Sequence, residues 1–194
     1  MFKKKTPVLH EYVECDEVYI TAGHKGCKEQ VKAKGRQGRR RKLKGKRGRG
    51  TLQSKRPPVL GMIQRKGPLV IQMIPNVKIE TIEPLIKAVV AKGSRLFTDE
   101  YSIYDRVKNW GYSHKTVNHG QREYARDEDG DGFCEVHVNT IEGVWSLLRS
   151  WLRPHRGISQ KHLPSYLGFF EFVHNARRRG TALLPLLLQT LVSP

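Results

Sequence analysis

Three acidic residues lie in sequence settings where carboxylates can do chemistry. Asp16 falls inside a run of β-branched and aromatic residues, Asp99 directly follows a short apolar run, and Glu142 lies near the start of an amphipathic segment. Carboxylates that converge from separate elements repel one another unless divalent cations hold them, and Mg²⁺ prefers oxygen ligands. Two such ions can activate a water or a sugar hydroxyl and stabilise the leaving oxygen of a phosphodiester. The three acids therefore favour a metal-dependent phosphodiester site.

A plainer interpretation of the same acids is structural. The sequence contains 18 acidic residues, so a trio can always be chosen and spacing alone proves nothing. In this interpretation Asp16 caps a turn, Asp99 caps the following helix, and Glu142 favours a helix N-terminus. Without knowledge of a family, both interpretations stay open.

The elements that must position these acids follow from the hydrophobic pattern. Alternating or continuous apolar runs predict five strands: residues 12–20, a hairpin over 58–64 and 69–74, a buried strand over 95–98, and a strand over 112–118. Apolar residues at helical spacing predict helices over 81–92, 102–110 and 139–152 and a terminal helix through Tyr166, Leu167, Phe170 and Val173. This order predicts an α/β fold, a mixed sheet flanked by helices.

The helix predicted over 139–152 carries several candidate residues. Glu142 and Arg149 share one edge of its apolar face. Trp145 and Trp151 lie on the apolar face itself and are predicted to be core residues. An acidic loop before this helix, residues 127–132, is similar to half of a calcium-binding loop, but its twelfth position falls on Val138 and no calcium sensor is predicted.

Positive charge dominates the chain and indicates a nucleic-acid partner. The net charge is +18, and residues 25–56 hold 15 basic residues and one acid. This Gly-rich segment has almost no apolar residues, so we predict a disordered insertion after the first strand that binds phosphates. A solvated insertion that binds any polyanion is the alternative. The candidate DNA contacts are Arg39, Arg40, Arg41, Lys42, Lys44, Lys46 and Arg47.

Composition excludes several classes of protein. An apolar fraction of 38% is too high for a wholly disordered chain, and no apolar run is long enough for a membrane span. The first residues lack a secretory signal, so we expect a cytoplasmic protein that associates with the nucleoid when it binds DNA. Cys15, Cys27 and Cys134 form no C-x-x-C pair and are predicted to be unpaired thiols.

Four sequence blocks carry a resemblance to a known family. They are residues 13–17, residues 97–100 with Tyr104, residues 116–119, and the most specific block, residues 136–149; residues 172–178 are similar to the family's closing helix. From about residue 11 to residue 180 the chain resembles the DDE-type insertion-sequence transposases of the ISXO-two-like branch. The resemblance implies a ribonuclease-H-like catalytic domain.

The resemblance also implies roles for individual residues. Asp16, Asp99 and Glu142 would be the catalytic acids and would hold two Mg²⁺ ions, with Mn²⁺ as an alternative, while Arg149 would contact DNA. Some members use Asn as the third residue, which makes Asn139 a rival. We favour Glu142 because an amide binds Mg²⁺ more weakly than a carboxylate does. The implied partners are the element ends and target DNA, bound by a homodimer, with no membrane.

The expected organisation departs from the family at one point. We expect an N-terminal tail over 1–10, a catalytic domain over 11–180 that contains the insertion 25–56, and an apolar tail or helix over 181–194. Family members usually carry an N-terminal zinc-ribbon or helix-turn-helix region, yet only 15 residues precede Asp16. The expectation is a shortened reading frame, or recognition of the ends by another polypeptide.

The expected function is Mg²⁺-dependent cleavage and strand transfer of an insertion sequence. Two alternatives stay open. The chain could be a non-catalytic remnant that still binds nucleic acid, or a nuclease of the same fold that hydrolyses DNA without joining strands.

Overall fold

The protein is described by a computed structural model over residues 6–23, 29, 32, 52, 56–178, 180 and 185. In chain order the strands are β1 (Tyr12–Tyr19), β2 (Ala22–Gly23), β3 (Pro58–Gln64), β4 (Leu69–Met73), β5 (Arg95–Thr98), β6 (Ser113–Thr116), β7 (Ala125–Arg126), β8 (Val136–His137) and β9 (Ile158–Ser159). The α-helices are α1 (Ile79–Val89), α2 (Asn139–Leu152) and α3 (Leu163–Arg177). Short 3₁₀ helices span Ser102–Tyr104, Val107–Trp110, His119–Gln121 and Arg153–His155.

Five strands form the central sheet in the order β4-β3-β1-β5-β6. β3 runs antiparallel to both β1 and β4, whereas β5 runs parallel to β1 and β6 runs parallel to β5. Strands β1, β3 and β4 thus form a meander, and the parallel strands are reached by helical crossovers. The predicted mixed α/β fold is confirmed, and this strand order is consistent with a ribonuclease-H-like fold.

Two hydrophobic cores lie on opposite faces of the sheet. On β1, Val13 and Cys15 face the core that contains Ile82 and Ile86 of α1. Val18 belongs to the other core, which contains buried residues of α2 and α3. Because side chains alternate along a strand, Glu14 and Asp16 lie on the face of β1 that is directed toward α2.

Helix α3 packs against β4, the edge strand of the sheet. The side chain of Asn175 accepts the N–H of Leu69 at 2.7 Å and donates to the carbonyl of Leu69 at 2.8 Å. The buried carboxylate of Glu171 accepts the N–H of Ile71 at 3.2 Å. An edge strand otherwise presents unpaired backbone groups, so α3 covers this edge with both apolar and polar contacts.

One predicted helix, over 102–110, is wrong in type. The structure has two successive 3₁₀ helices there, and Gly111 ends the second one with φ of 92°. Tyr104, Val107 and Trp110 are all buried, which is a spacing of three residues. In a 3₁₀ helix side chains three residues apart lie on one line, so this pattern fits the tighter helix better than a 3.6-residue turn.

The other predicted elements are confirmed with small shifts at their ends. The strand predicted over 112–118 is shorter, and the helix predicted over 81–92 begins and ends earlier. Cys15 is a buried free thiol whose pKa is raised by burial, and Cys134 is an exposed one. Nearly all of the insertion 25–56 and of segment 181–194 lies outside the described residues. So do Cys27 and the candidate DNA contacts Arg39, Arg40, Arg41, Lys42, Lys44, Lys46 and Arg47.

Within residues 6–23 and 56–178, no helix is long and apolar enough to cross a bilayer.

Candidate active site

Parallel pairing of β1 with β5 places two aspartates side by side. The pairs are Tyr12 with Arg95, Val13 with Leu96, and Glu14 with Phe97. The same offset, continued two residues past the last pair, sets Asp16 level with Asp99. Neighbouring strands are about 4.8 Å apart, so the two residues are close at the end of β5. Asp99 follows the last residue of β5 at the carboxyl edge, where α/β sheets commonly bind ligands.

The carboxylate of Asp16 is nearly buried and is held by two N–H donors. Its Oδ1 accepts the backbone N–H of Glu17 at 2.7 Å, and its Oδ2 accepts the indole N–H of Trp145 at 2.8 Å. Removal from water raises the pKa of Asp16, as do the negative charges of Asp99 and Glu142, and these effects outweigh the two hydrogen bonds, so that the pKa is about 6. The three acids predicted from the sequence therefore share one electrostatic environment.

Glu142 reaches this region from the first turn of α2. Its side chain is about half exposed, and its Oε1 lies 3.6 Å from Nε2 of His119. An acid in the first turn also interacts favourably with the helix dipole. Asp99 has a local role as well, since its Oδ1 accepts the N–H of Tyr101 at 3.1 Å. The structural role considered for Glu142, an acid in the first turn of a helix, is thus present. The role considered for Asp99 is not, because the N–H that it accepts belongs to Tyr101 before the 3₁₀ helix and no side chain caps that helix.

A tighter acidic cluster lies elsewhere, in the loop before β8. Across the described ranges, ligand atoms that all lie within 4.8 Å of one another are found for Asp127, Asp129 and Glu135. Asp16, Asp99 and Glu142 are not grouped that closely. The carboxylate of Asp127 accepts the N–H groups of Gly130 at 2.6 Å and Gly132 at 2.8 Å. These bonds lower the pKa of Asp127 and fold the loop on itself.

Glu14 has a role that our sequence interpretation missed. Its carboxylate is fully buried and accepts hydrogen bonds from Arg65 Nε at 2.8 Å, Thr140 Oγ1 at 2.8 Å and the N–H of Ile141 at 2.9 Å. Glu14 therefore ties β1 to the first turn of α2. The signal was available: an acid two residues before Asp16 in a strand must lie on the same face.

Arg65, in the turn after β3, completes the network around Glu14. Its guanidinium donates to the carbonyl of Glu135 at 2.6 Å and to the carbonyl of His137 at 2.8 Å. It also lies 4.0 Å from the ring centroid of Phe97. The segment that leads into α2 is thereby fixed to both β1 and β5, which carry the two aspartates.

The two remaining predicted residues of α2 are at its surface. Asn139 is the exposed first residue of the helix, and its backbone N–H donates to Nδ1 of His137 at 3.3 Å. Arg149 is exposed in the last turn. Asn139 and Glu142 are within one turn of each other, so both are at the end of α2 that Glu14 fixes.

The carboxylate oxygens of Asp16, Asp99 and Glu142 are suitable ligands for a divalent cation. Each oxygen of Asp16 accepts one N–H, and a carboxylate has about four acceptor positions in all. Burial and the charges of Asp99 and Glu142 make ionisation of Asp16 less favourable than in water, and a bound cation would offset these effects. The acids therefore fit Mg²⁺ or a similar ion that prefers carboxylate oxygens.

Comparisons with known proteins give the class to which this chain is similar. It is 35% identical over 190 residues to a protein of the transposable element ISH50 of Halobacterium salinarum, covering 95% of this chain and 59% of that protein. It is 29% identical over 105 residues to a transposase-like protein of Haemophilus influenzae, covering 53% of this chain and 77% of that one. The chain thus spans less than two thirds of the length of the first of these relatives.

The family follows from a second comparison. Residues 8–175 match the ISXO2-like transposase domain, and the chain belongs to this family. The resemblance inferred from the sequence blocks is confirmed. Among solved structures, a chain of the simian T-cell lymphotropic virus intasome in complex with PP2A regulatory subunit B56 gamma is 9% identical, with a TM-score of 0.43, covering 87% of this chain and 49% of that chain.

Proposed function

We propose that the chain is the catalytic domain of a DDE-type transposase that cleaves the ends of an insertion sequence and joins them to target DNA. Asp16, Asp99 and Glu142 hold two Mg²⁺ ions, which Mn²⁺ can replace. The observation that carries the proposal is that the charges of both Asp99 and Glu142 act on the carboxylate of Asp16, whose strand pairs in parallel with the strand that Asp99 follows. Family membership supports it.

Each part of the site has a separate task. Bound cations would favour ionisation of the attacking water or 3′ hydroxyl and stabilise the leaving oxygen of the phosphodiester. Asp16 and Asp99 hold the cations at the end of β5, and Glu142 supplies a carboxylate from α2. Arg149 and the basic insertion neutralise DNA phosphates and position the strand for in-line attack. Two copies would bind the two ends as a homodimer.

The direct test compares two aspartate variants of the full chain. The substrate is a duplex that carries the inverted repeats flanking the gene, with free 3′ hydroxyl ends and Mg²⁺. Asp99→Ala should abolish nicking and strand transfer while DNA affinity stays within about twofold of wild type. Asp105→Ala is the control, because Asp105 is an exposed acid six residues further on. Wild-type activity of Asp99→Ala would overturn the assignment.

Product analysis separates the alternatives. A transposase joins the labelled 3′ end to a second duplex, and the joined strand is longer than either substrate. Nicked products without joining would indicate a nuclease. Salt-sensitive binding without Mg²⁺-dependent cleavage would indicate a non-catalytic DNA-binding protein.

The role of the basic insertion is tested by the salt dependence of binding. Each neutralised phosphate contributes about 0.9 to the slope of log affinity against log salt concentration. Replacing the seven candidate residues from Arg39 to Arg47 with Gln should reduce the slope by up to about 6. Lys87→Gln with Lys92→Gln, which removes two exposed charges near the end of α1, should leave the slope nearly unchanged. An unchanged slope in the sevenfold variant would exclude the insertion as a phosphate-binding segment.

A further inference from the structure

Trp145 combines a core position with a polar contact to the proposed metal site. Its side chain is 3% exposed and packs in the core between the sheet and α2. Its indole N–H donates to Oδ2 of Asp16 at 2.8 Å. Apolar packing alone would be satisfied by a phenylalanine ring. A buried indole N–H needs an acceptor, and here that acceptor is an acid proposed to bind a cation.

Gly61 makes room for the indole. It is the partner of Asp16 in the antiparallel pairing of β1 with β3. A Cβ atom built on Gly61 would overlap the six-membered ring of Trp145 and lie 2.9 Å from Cδ1 of Ile141. Any side chain at position 61 therefore displaces the indole or moves α2 away from the sheet. The absence of a side chain opposite Asp16 is what allows Trp145 to reach its carboxylate.

We propose that Trp145, seated on Gly61, is a positioning residue that orients the Asp16 carboxylate for the divalent cation. The proposal rests on the function proposed above. The indole N–H and the backbone N–H of Glu17 bind different oxygens of Asp16, so together they fix the carboxylate against rotation. Each donor uses one of about four acceptor positions, and the carboxylate can still bind a cation. Groups that orient a ligand in this way commonly change metal affinity 10- to 100-fold when they are removed.

The first experiment measures the Mn²⁺ affinity of the purified full chain by electron paramagnetic resonance titration. Trp145→Phe keeps an aromatic ring and removes the N–H, and it should weaken Mn²⁺ binding about 10- to 100-fold. Trp151→Phe is the matched control on the same helix and should leave the affinity unchanged. Saturating Mn²⁺ should restore a large part of the strand-transfer rate of Trp145→Phe, because the metal ligands themselves are intact.

A second variant tests the packing of the indole ring against Gly61. Gly61→Ala retains the N–H but displaces the ring, so it should weaken Mn²⁺ binding in the same direction. The double variant Gly61→Ala with Trp145→Phe should lose less Mn²⁺ affinity than the two single losses added together. Its affinity should be close to that of one single variant, because both changes act on one contact. Gly168→Ala is the control, since a Cβ at Gly168 meets nothing within 4 Å. If Gly61→Ala fails to fold, Trp145→Phe alone decides the proposal.

The outcomes separate this inference from the proposed function. The indole ¹H–¹⁵N signal of Trp145 in the metal-free protein should move in Asp16→Asn, because a bond to a charged acceptor becomes a bond to a neutral one. Wild-type Mn²⁺ affinity in Trp145→Phe, with loss of binding in Asp16→Asn, would overturn the positioning role alone. Wild-type Mn²⁺ affinity in Asp16→Asn itself would overturn the proposed metal site.

Discussion

The buried carboxylate of Glu14 accepts the backbone N–H of Ile141 at 2.9 Å, across 127 residues of sequence. This bond joins the strand that carries Asp16 to the helix turn that carries Glu142. A helix N-terminus has unsatisfied N–H groups and a partial positive charge, so a buried anion is well placed there. The distance between Asp16 and Glu142 therefore depends on Glu14, which is not one of the proposed catalytic acids.

Removal of Glu14 should destabilise the whole domain. Glu14→Ala leaves Arg65, whose side chain is only 17% exposed, without its ion-pair partner. Breaking a buried ion pair from one side typically costs about 3 to 5 kcal/mol, and we expect this decrease in the free energy of unfolding. Urea denaturation measures it. Lys87→Ala is the control, because it breaks an exposed pair with Glu83 that should contribute less than about 1 kcal/mol. Equal effects of the two variants would contradict the role of Glu14.

Ionisation of Asp16 should destabilise the metal-free protein. The pKa of Asp16 is about 6 in the folded chain, mainly because of burial, and near 4 when unfolded. Between these values the folded state binds more protons at Asp16, so the contribution of Asp16 to stability is most favourable below pH 4 and is lost as the pH rises to 6. The loss is about 3 kcal/mol. Urea denaturation of wild type and Asp16→Asn between pH 4 and pH 7 measures it.

The difference between the two proteins is the informative quantity. The pKa of His114 is lowered to about 4, chiefly by burial, so its contribution is lost as the pH falls below about 6.5 and opposes that of Asp16. His114 is the same in both proteins and cancels. Parallel curves for wild type and Asp16→Asn would contradict the raised pKa. Saturating Mg²⁺ should reduce the difference, because a cation stabilises the ionised carboxylate.

The choice between Glu142 and Asn139 can be settled by metal affinity. Glu142→Gln replaces a charged ligand with a neutral one and should weaken Mn²⁺ binding about 10-fold or more. Asn139→Ala should change it by less than about threefold. Electron paramagnetic resonance titration of both variants gives the comparison. The reverse order of effects would identify Asn139 as the third ligand.

Loss of the Asn175 side chain should open the edge of the sheet. Asn175→Ala removes both hydrogen bonds to Leu69 and should cost about 1 to 3 kcal/mol, since it leaves backbone groups without their partners. The amide of Leu69 should also exchange with solvent faster. Asn109→Ala, at an exposed position, is the control and should stay within about 0.5 kcal/mol of wild type. Unchanged exchange at Leu69 would contradict the contact.

Local pattern was sufficient for most of the secondary structure. The hairpin of β3 and β4 and the full extent of α2 follow from apolar runs and helical spacing. The type of helix over 102–110 was predicted wrongly, because an apolar spacing of three residues and one near 3.6 are hard to distinguish over nine residues. The mixed α/β fold is confirmed, whereas the roles of Asp16, Asp99 and Glu142 in catalysis stay a prediction.

The polar contacts around the site could not be predicted, since they depend on how distant elements align. Trp145 was expected in the core and is there, but its bond to Asp16 requires the register of α2 along β1. Gly61 carried no sequence signal of its own, because its lack of a side chain matters only opposite Asp16. The partners of Glu14 on α2 likewise lie more than 100 residues away.

The position of α3 limits how two copies of this chain can meet. With its last turns hydrogen-bonded to Leu69 and Ile71, the outer side of β4 offers no ready template on which a neighbouring polypeptide could extend the sheet. In the proposed homodimer the two copies must therefore touch through other surfaces, and intermolecular β-pairing at this side would require α3 to detach first.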